Sequence, residues 1–359
     1  MSPSDLYSQL KPAWHSERIE DFRDGLRPRP VHVHIILSDL CNQDCSFCAY
    51  RMSTGLSNEL FVADSERAKT GTNNPVRMMP REKALEIIED CAELGVKAIQ
   101  FTGGGEPTVH PDHLEIMGRA QELGMETGLV TNGLKMDPIA TPIQNMKWIR
   151  VSVDAGDSET YSKVRRVPRG HWDKVWLHIK QLAAADYDGT LGIGFVVTPE
   201  NYRGVTPAAS LAKASGAQNM RVGAVFSERG LDFYGDKITA ITKEIELAKA
   251  AVDSNGFELY DLFGRRLGDL EQRSPDYPRC YYQHMTYYIG GDLNLYRCCN
   301  TAYTQHGLVG SLRDVRLHAL LQNQPHEPFD ARTCRACQFN GQNKAIRALV
   351  EQPEHVNFV

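Results

Sequence analysis

Short apolar runs rich in β-branched residues recur along the chain at 32–38, 97–102, 126–131, 148–153, 191–198 and 220–226. Each is bounded by Gly, Asp or Asn, and runs of that length predict buried strands of a parallel sheet. Segments with a helical period lie between them. The clearest is 80–94, where Pro80 suits the first turn, Leu85, Ile88 and Ala92 mark an apolar face, and Gly95 ends it. Others are 112–123, 172–185 and 204–214. This β-α alternation predicts an α/β fold with right-handed crossovers, curled into a partial (β/α)6 TIM-like barrel. Six strands are fewer than the eight of a closed barrel, which leaves an open side for a substrate.

After about residue 235 the alternation stops. A helix-like stretch, 238–253, leads into a Tyr-rich, cysteine-bearing region. The expected organisation is an N-terminal extension at 1–30, the barrel at 31–235, a helical linker at 236–275 and a small α+β unit at 276–359. Segment 51–79 has no periodicity, and a loop of that size is usually a functional lid or disordered.

Composition narrows the function classes. The chain has 359 residues and a net charge of −5, which argues against general nucleic-acid or anionic-membrane binding, since both need surplus Lys and Arg. No stretch approaches the roughly 18 apolar residues of a spanning helix. The first residues, MSPSDLYSQLKPAWHSERIEDF, lack the apolar core of a secretory signal. A cytoplasmic location is expected. In that compartment thiols stay reduced, so the nine cysteines read first as metal ligands or catalytic groups. They form two groups, Cys41, Cys45 and Cys48 near one end and Cys280, Cys298, Cys299, Cys334 and Cys337 near the other. Cys91, on the helix at 80–94, reads as packing.

The first group, Cys41-Asn-Gln-Asp-Cys45-Ser-Phe-Cys48, has the spacing CxxxCxxC and directly follows the first strand. Three thiolates on one tight loop suit three corners of a cubic iron–sulfur cluster and leave one iron open. The alternative is a zinc loop, although zinc sites favour paired units with four ligands. After the second strand comes Phe101-Thr102-Gly103-Gly104-Gly105-Glu106-Pro107. The CxxxCxxC loop with Phe47 before its last cysteine, followed by this GGE motif, resembles the radical S-adenosylmethionine (radical SAM) superfamily over about residues 30–230.

The resemblance implies a [4Fe–4S] cluster on Cys41, Cys45 and Cys48 whose open iron binds the methionine end of SAM. Gly104 and Gly105 would let backbone approach the SAM ammonium, with Glu106 beside it. Phe47 would pack on the adenine, with Val197 behind it. Thr131, Asn132, Ser152 and Asp154 match positions near the adenosyl group or substrate. The pattern from Tyr161 to Arg165 resembles Y-x-x-x-R, in which Arg165 meets the methionine carboxylate; a solvated basic helix face is the alternative. A one-electron donor such as flavodoxin or ferredoxin is implied, as is a 5′-deoxyadenosyl radical that takes hydrogen from a carbon.

In the second group, single Cys280 and Cys298 precede Cys334-Arg-Ala-Cys337. Spacing alone leaves zinc and a fully ligated cluster equally open. Beside a radical SAM core, the pattern resembles a Twitch domain, a short relative of SPASM, and implies one auxiliary [4Fe–4S] cluster on all four cysteines. The stretch 287–298 reads as a hairpin about Gly290-Gly291-Asp292, with Leu293 where the family usually has glycine. Cys299 is either a packed hairpin thiol or a spare ligand or hydrogen-atom donor. The expected reaction is two-electron oxidation of a small polar molecule, with Asp154, Glu228 and His110 as candidate bases. Radical epimerisation using Cys299, dehydration, and peptide maturation are the enzymatic alternatives. A zinc-binding module is the non-enzymatic one, and the acidic charge and intact GGE speak against it.

Overall fold

The computed structural model describes residues 6–61, 75–185, 187–252, 256–323, 329–351 and 354–355. The middle of the aperiodic segment, 62–74, lies outside the described residues. One ten-stranded sheet organises the rest. Strands β1 (His32–Ile36), β2 (Ala98–Thr102), β3 (Glu126–Thr131), β4 (Trp148–Ser152), β5 (Thr190–Val196) and β6 (Asn219–Gly223) are consecutive parallel neighbours. The helices of eight or more residues are α1 (Ser16–Arg23), α2 (Arg81–Glu93), α3 (His113–Glu122), α4 (Ser158–Arg165), α5 (Gly170–Ala184), α6 (Val205–Ala214), α7 (Ile238–Val252) and α8 (Asn340–Val350). Pro80 caps α2 from outside rather than opening its first turn.

The alternation continues one unit further than the sequence pattern predicts. Helix α7 leads into a seventh parallel strand, β7 (Glu258–Asp261), paired with β6. Its four residues include two acids, too short and too polar for an apolar run. The hairpin is also built into the sheet. Strand β8 (Thr286–Ile289) lies parallel to β1, and β9 (Asn294–Tyr296) and β10 (Leu308–Ser311) extend that edge antiparallel. At the turn, Leu293 adopts φ 64°, a left-handed conformation that favours glycine, and its buried side chain holds it there.

The strands have two unlike faces. Val33, Ile35, Ile99, Phe101, Ile149, Val151, Leu191, Ile193, Phe195, Met220 and Val222 pack outward into the main core, where Cys91 is also buried. The residues between them face inward, and they are polar or aromatic: His32, His34, Gln100, Trp148, Arg150, Ser152 and Arg221. Glycines 128, 192, 194 and 223 share this inner face and blur the alternation in the sequence. The lower end of the lumen is stoppered by the N-terminal segment, where Tyr7 stacks edge-on to Tyr260 at 4.9 Å. That segment is clasped to the other terminus, with Arg23 Nε donating to the Leu349 carbonyl at 2.9 Å.

Candidate active site

The loop after β1 is fixed by α4. Backbone N–H groups of Asp44 and Ser46 donate to the carbonyls of Arg165 and Val164 at 3.3 and 2.9 Å. The sulfurs are fixed by side chains: Arg165 Nη1 reaches Cys45 at 3.6 Å, Arg51 Nη1 reaches Cys48 at 3.9 Å, and Asn132 Nδ2 reaches Cys41 at 3.9 Å. Burial pushes the Cys45 thiol up to about 12 against the pull of Arg165, and raises Cys41 against Arg51. Three donors thus face three sulfurs and offset part of what burial costs a thiolate there. Among the described residues no three cysteine sulfurs lie within 4.8 Å of one another. Tetrahedral zinc, with Zn–S bonds of about 2.3 Å, needs sulfurs about 3.8 Å apart. The donor set, three cysteines on one loop, fits three corners of a cubic cluster.

Glu106 joins the loop after β2 to the end of β3. Its Oε1 accepts from Thr108 N–H at 3.1 Å, Thr108 Oγ1 at 2.7 Å and Thr131 Oγ1 at 2.6 Å, and its Oε2 accepts from Asn132 N–H at 2.7 Å. The glycines before it serve close approach. A Cβ on Gly105 would sit 2.1 Å from the Leu40 carbonyl oxygen, and one on Gly104 would sit 2.5 Å from Phe61. The GGE turn is therefore pressed onto the residues that launch the cysteine loop.

Asp154, after β4, is a second fastener. Its carboxylate pairs with buried Arg165 and accepts from Val196 N–H at 2.5 Å. Burial pushes its carboxyl up and the Arg165 charge pulls it down. Arg165 also donates to Gln43 Oε1 at 2.8 Å and stands 5.9 Å over the Phe47 ring.

The other cysteine group closes the same mouth. Burial raises the Cys334 thiol, and Cys298, Cys337 and Cys280 raise it further. Asn343 of α8 holds the approach to Cys280, accepting from Tyr281 and Tyr282 N–H at 2.7 and 3.1 Å. Cys299 accepts from Gln338 Nε2 at 2.7 Å, and Arg266 and Arg221 act on its thiol. Tyr50 lies between the two groups. Its hydroxyl is 2.5 Å from that of Tyr288 and is influenced by both Cys299 and Cys48.

Residues 35–212 match the radical SAM superfamily. The chain carries a radical SAM domain. It is 32% identical over 172 residues to an S-adenosylmethionine-dependent nucleotide dehydratase of Flammeovirga pacifica, which covers 47% of this chain and 54% of that protein. It is 26% identical over 232 residues to the mycofactocin maturase MftC of Mycobacterium tuberculosis, covering 64% and 53%. The chain thus spans about half the length of the curated relatives it matches. Its fold is like that of Streptococcus suis SuiB bound to the precursor peptide SuiA, with a TM-score of 0.62 at 14% identity over 92% of this chain and 74% of SuiB. Membership of the superfamily implies SAM and a [4Fe–4S] cluster.

Within and beside the radical SAM domain, three residues expected as bases hold other positions. His110 is buried, its Nδ1 accepting from Asp112 N–H at 3.1 Å and its Nε2 donating to the Met79 carbonyl at 2.7 Å. Both ring nitrogens are engaged, so it braces the loop that returns to α2. Glu228 is exposed and pairs with Arg335 at 2.8 Å, tying the loop after β6 to the C-terminal cysteines. Asp154 is paired with Arg165, which also contacts Gln43 and Cys45. Ser152 ends β4 on its inner face, and buried Val197 lies just beyond β5.

Sequence reasoning missed Asp39, which joins Arg77 at 2.9 Å and Tyr303 of the C-terminal region. It also missed His34, which faces the lumen and stacks on Tyr288 at 5.5 Å. Period-2 alternation within HVHII was the signal for His34. Nothing local marked Asp39.

Proposed function

We propose that this chain cleaves SAM reductively at the mouth of the barrel and uses the 5′-deoxyadenosyl radical to take hydrogen from a small polar substrate held in the lumen. On this reading Cys41, Cys45 and Cys48 hold the [4Fe–4S] cluster, which when bound supplies the electron for the cleavage. Cys280, Cys298, Cys334 and Cys337 hold an auxiliary [4Fe–4S] cluster. The observation that carries the reading is the convergence of Arg165, Arg51 and Asn132 on the sulfurs of Cys45, Cys48 and Cys41 in the loop after β1. Arg165 and Arg51 steady the first group against its own negative charge. The aromatic wall of Tyr50, Phe61, Tyr288 and Tyr303 excludes water from the gap.

The reaction proposed is a two-electron oxidation. The substrate carbon loses a hydrogen atom to the radical, then one electron to the auxiliary site and one proton to a base. His34 is the base this geometry supports, since it faces the lumen beside Tyr288 and its buried Nδ1 has no hydrogen-bond partner among the described residues. A second reading has its own support: Cys299 lies outside the proposed ligand set, is held by Gln338 Nε2 and is acted on by Arg266 and Arg221, as a hydrogen-atom donor in an epimerisation would be.

Anaerobic reconstitution tests the core of this. About eight irons per chain are expected from two [4Fe–4S] clusters, about four in the Cys41→Ala/Cys45→Ala/Cys48→Ala variant, and dithionite-driven 5′-deoxyadenosine only from the wild type. Stoichiometric zinc, or SAM left intact, would overturn it. Cys299→Ala with full iron decides between the readings: product carrying solvent deuterium in the wild type but not formed by the variant establishes the donor.

A further inference from the structure

The inner face of the barrel carries more positive charge than its neighbours neutralise. Arg150 lies on β4 beside Trp148, its guanidinium 5.6 Å over that ring. Arg221 lies two strands away on β6, over the Tyr7 ring at 5.7 Å. The strand between them is stripped of side chains where they pass: Gly192 is paired with Arg150 and Gly194 with Arg221. A Cβ on Gly194 would come within 3.4 Å of Arg150 Cδ, and one on Gly223 within 3.7 Å of Arg221 Nη2. Two guanidinium groups thus share one glycine-floored recess. Arg266 follows toward the mouth, donating to the Ala336 carbonyl at 2.9 Å, with its buried Nε unpaired.

Among the described residues no carboxylate lies within 4.0 Å of any of the three, although the charge of Asp269 acts on Arg266. Asp154, whose charge Arg221 does reach, is already paired with Arg165. Burial and the two neighbouring arginines lower Arg221 to about 10, the mark of a cation kept without its counter-ion. Half-buried arginines that repel one another are costly unless an anion joins them. The planar forks of two arginines suit the oxygens of phosphate, and this much positive charge suits an anion of more than one negative charge.

We infer that the recess between Arg150 and Arg221 binds a phosphate or pyrophosphate group of the substrate, with Trp148 and Tyr7 flanking it. This rests on the lumen being the substrate site, and it narrows the substrate class to phosphorylated small molecules.

The test is calorimetric titration of the anaerobically reconstituted full-length protein with inorganic pyrophosphate. Saturable one-to-one binding is expected, at least tenfold weaker in Arg150→Gln and in Arg221→Gln and absent in the double variant, while visible iron–sulfur absorbance is retained. Arg150→Lys and Arg221→Lys keep the charge but not the fork and should fall between. Equal affinity in wild type and double variant would overturn the inference. So would tighter binding of malonate than of pyrophosphate, which would assign the recess to a dicarboxylate. Because SAM cleavage by dithionite needs neither arginine, its presence or loss reports separately on the proposed chemistry.

Discussion

Glu106 shows how much one carboxylate can organise. Four donors converge on it from two loops, and both its oxygens are used. Glu106→Gln keeps the volume but turns an amide N–H toward the Asn132 N–H. A buried donor then lacks its acceptor, which costs about 1–3 kcal/mol. Denaturant unfolding of the variant should show that loss, and its SAM affinity should fall with it, since Asn132 also reaches Cys41. Unfolding like the wild type's would show that Glu106 is not the fastener described. Glu228 is the contrast, since its exposed pair with Arg335 is expected to contribute about 0–1 kcal/mol.

At the scale of elements, β1 carries a pH dependence. Burial, with Lys11 adding to it, lowers His32 to about 4, and His34 lies well below its usual value. A histidine whose folded pKa is depressed stays neutral in the native state but takes a proton in the unfolded chain. Its contribution to stability is therefore complete above the unfolded pKa of 6.5 and is lost as pH falls toward 4. For half-buried His32 this amounts to about 1–3 kcal/mol. Thermal unfolding followed from pH 7 to pH 4 should show the decline, and His32→Gln should flatten it. An unchanged slope in that variant would place the titration elsewhere. The same strand explains why its chemistry was half legible: alternation put Val33 and Ile35 in the core, but which polar residues would meet across the lumen depended on strand register.

For the whole molecule, the closing contact is between the two ends of the chain. Helix α8 packs on α1 and on the 3₁₀ turn at Lys11–Trp14, while its Asn343 fixes the backbone beside Cys280 and donates to the Arg279 carbonyl at 3.1 Å. Asn343→Ala removes three hydrogen bonds, about 1 kcal/mol each, and frees the segment bearing one proposed ligand. The reconstituted variant is expected to keep about four irons and SAM cleavage while losing the auxiliary four. Eight irons in that variant would show that α8 does not set the second site. None of the helices among the described residues is long and apolar enough to cross a membrane.

What the sequence determined by itself was local: strand and helix periods from β1 to β6, the spacing of Cys41, Cys45 and Cys48, the glycines before Glu106, and the C-terminal CxxC. Each of these depends on neighbours a few residues away, which is the range over which backbone geometry fixes periodicity and turns. Only the tertiary structure decided that β7 continues the sheet, that the hairpin joins β1, that His110 and Glu228 are engaged elsewhere, and that Arg150 and Arg221 meet across two glycines. Those outcomes depend on partners far apart in the chain, such as Asp39 and Tyr303, 264 residues distant. A charge or hydrogen bond is satisfied by whatever folding brings within a few ångströms, and that is decided by packing, not by adjacency.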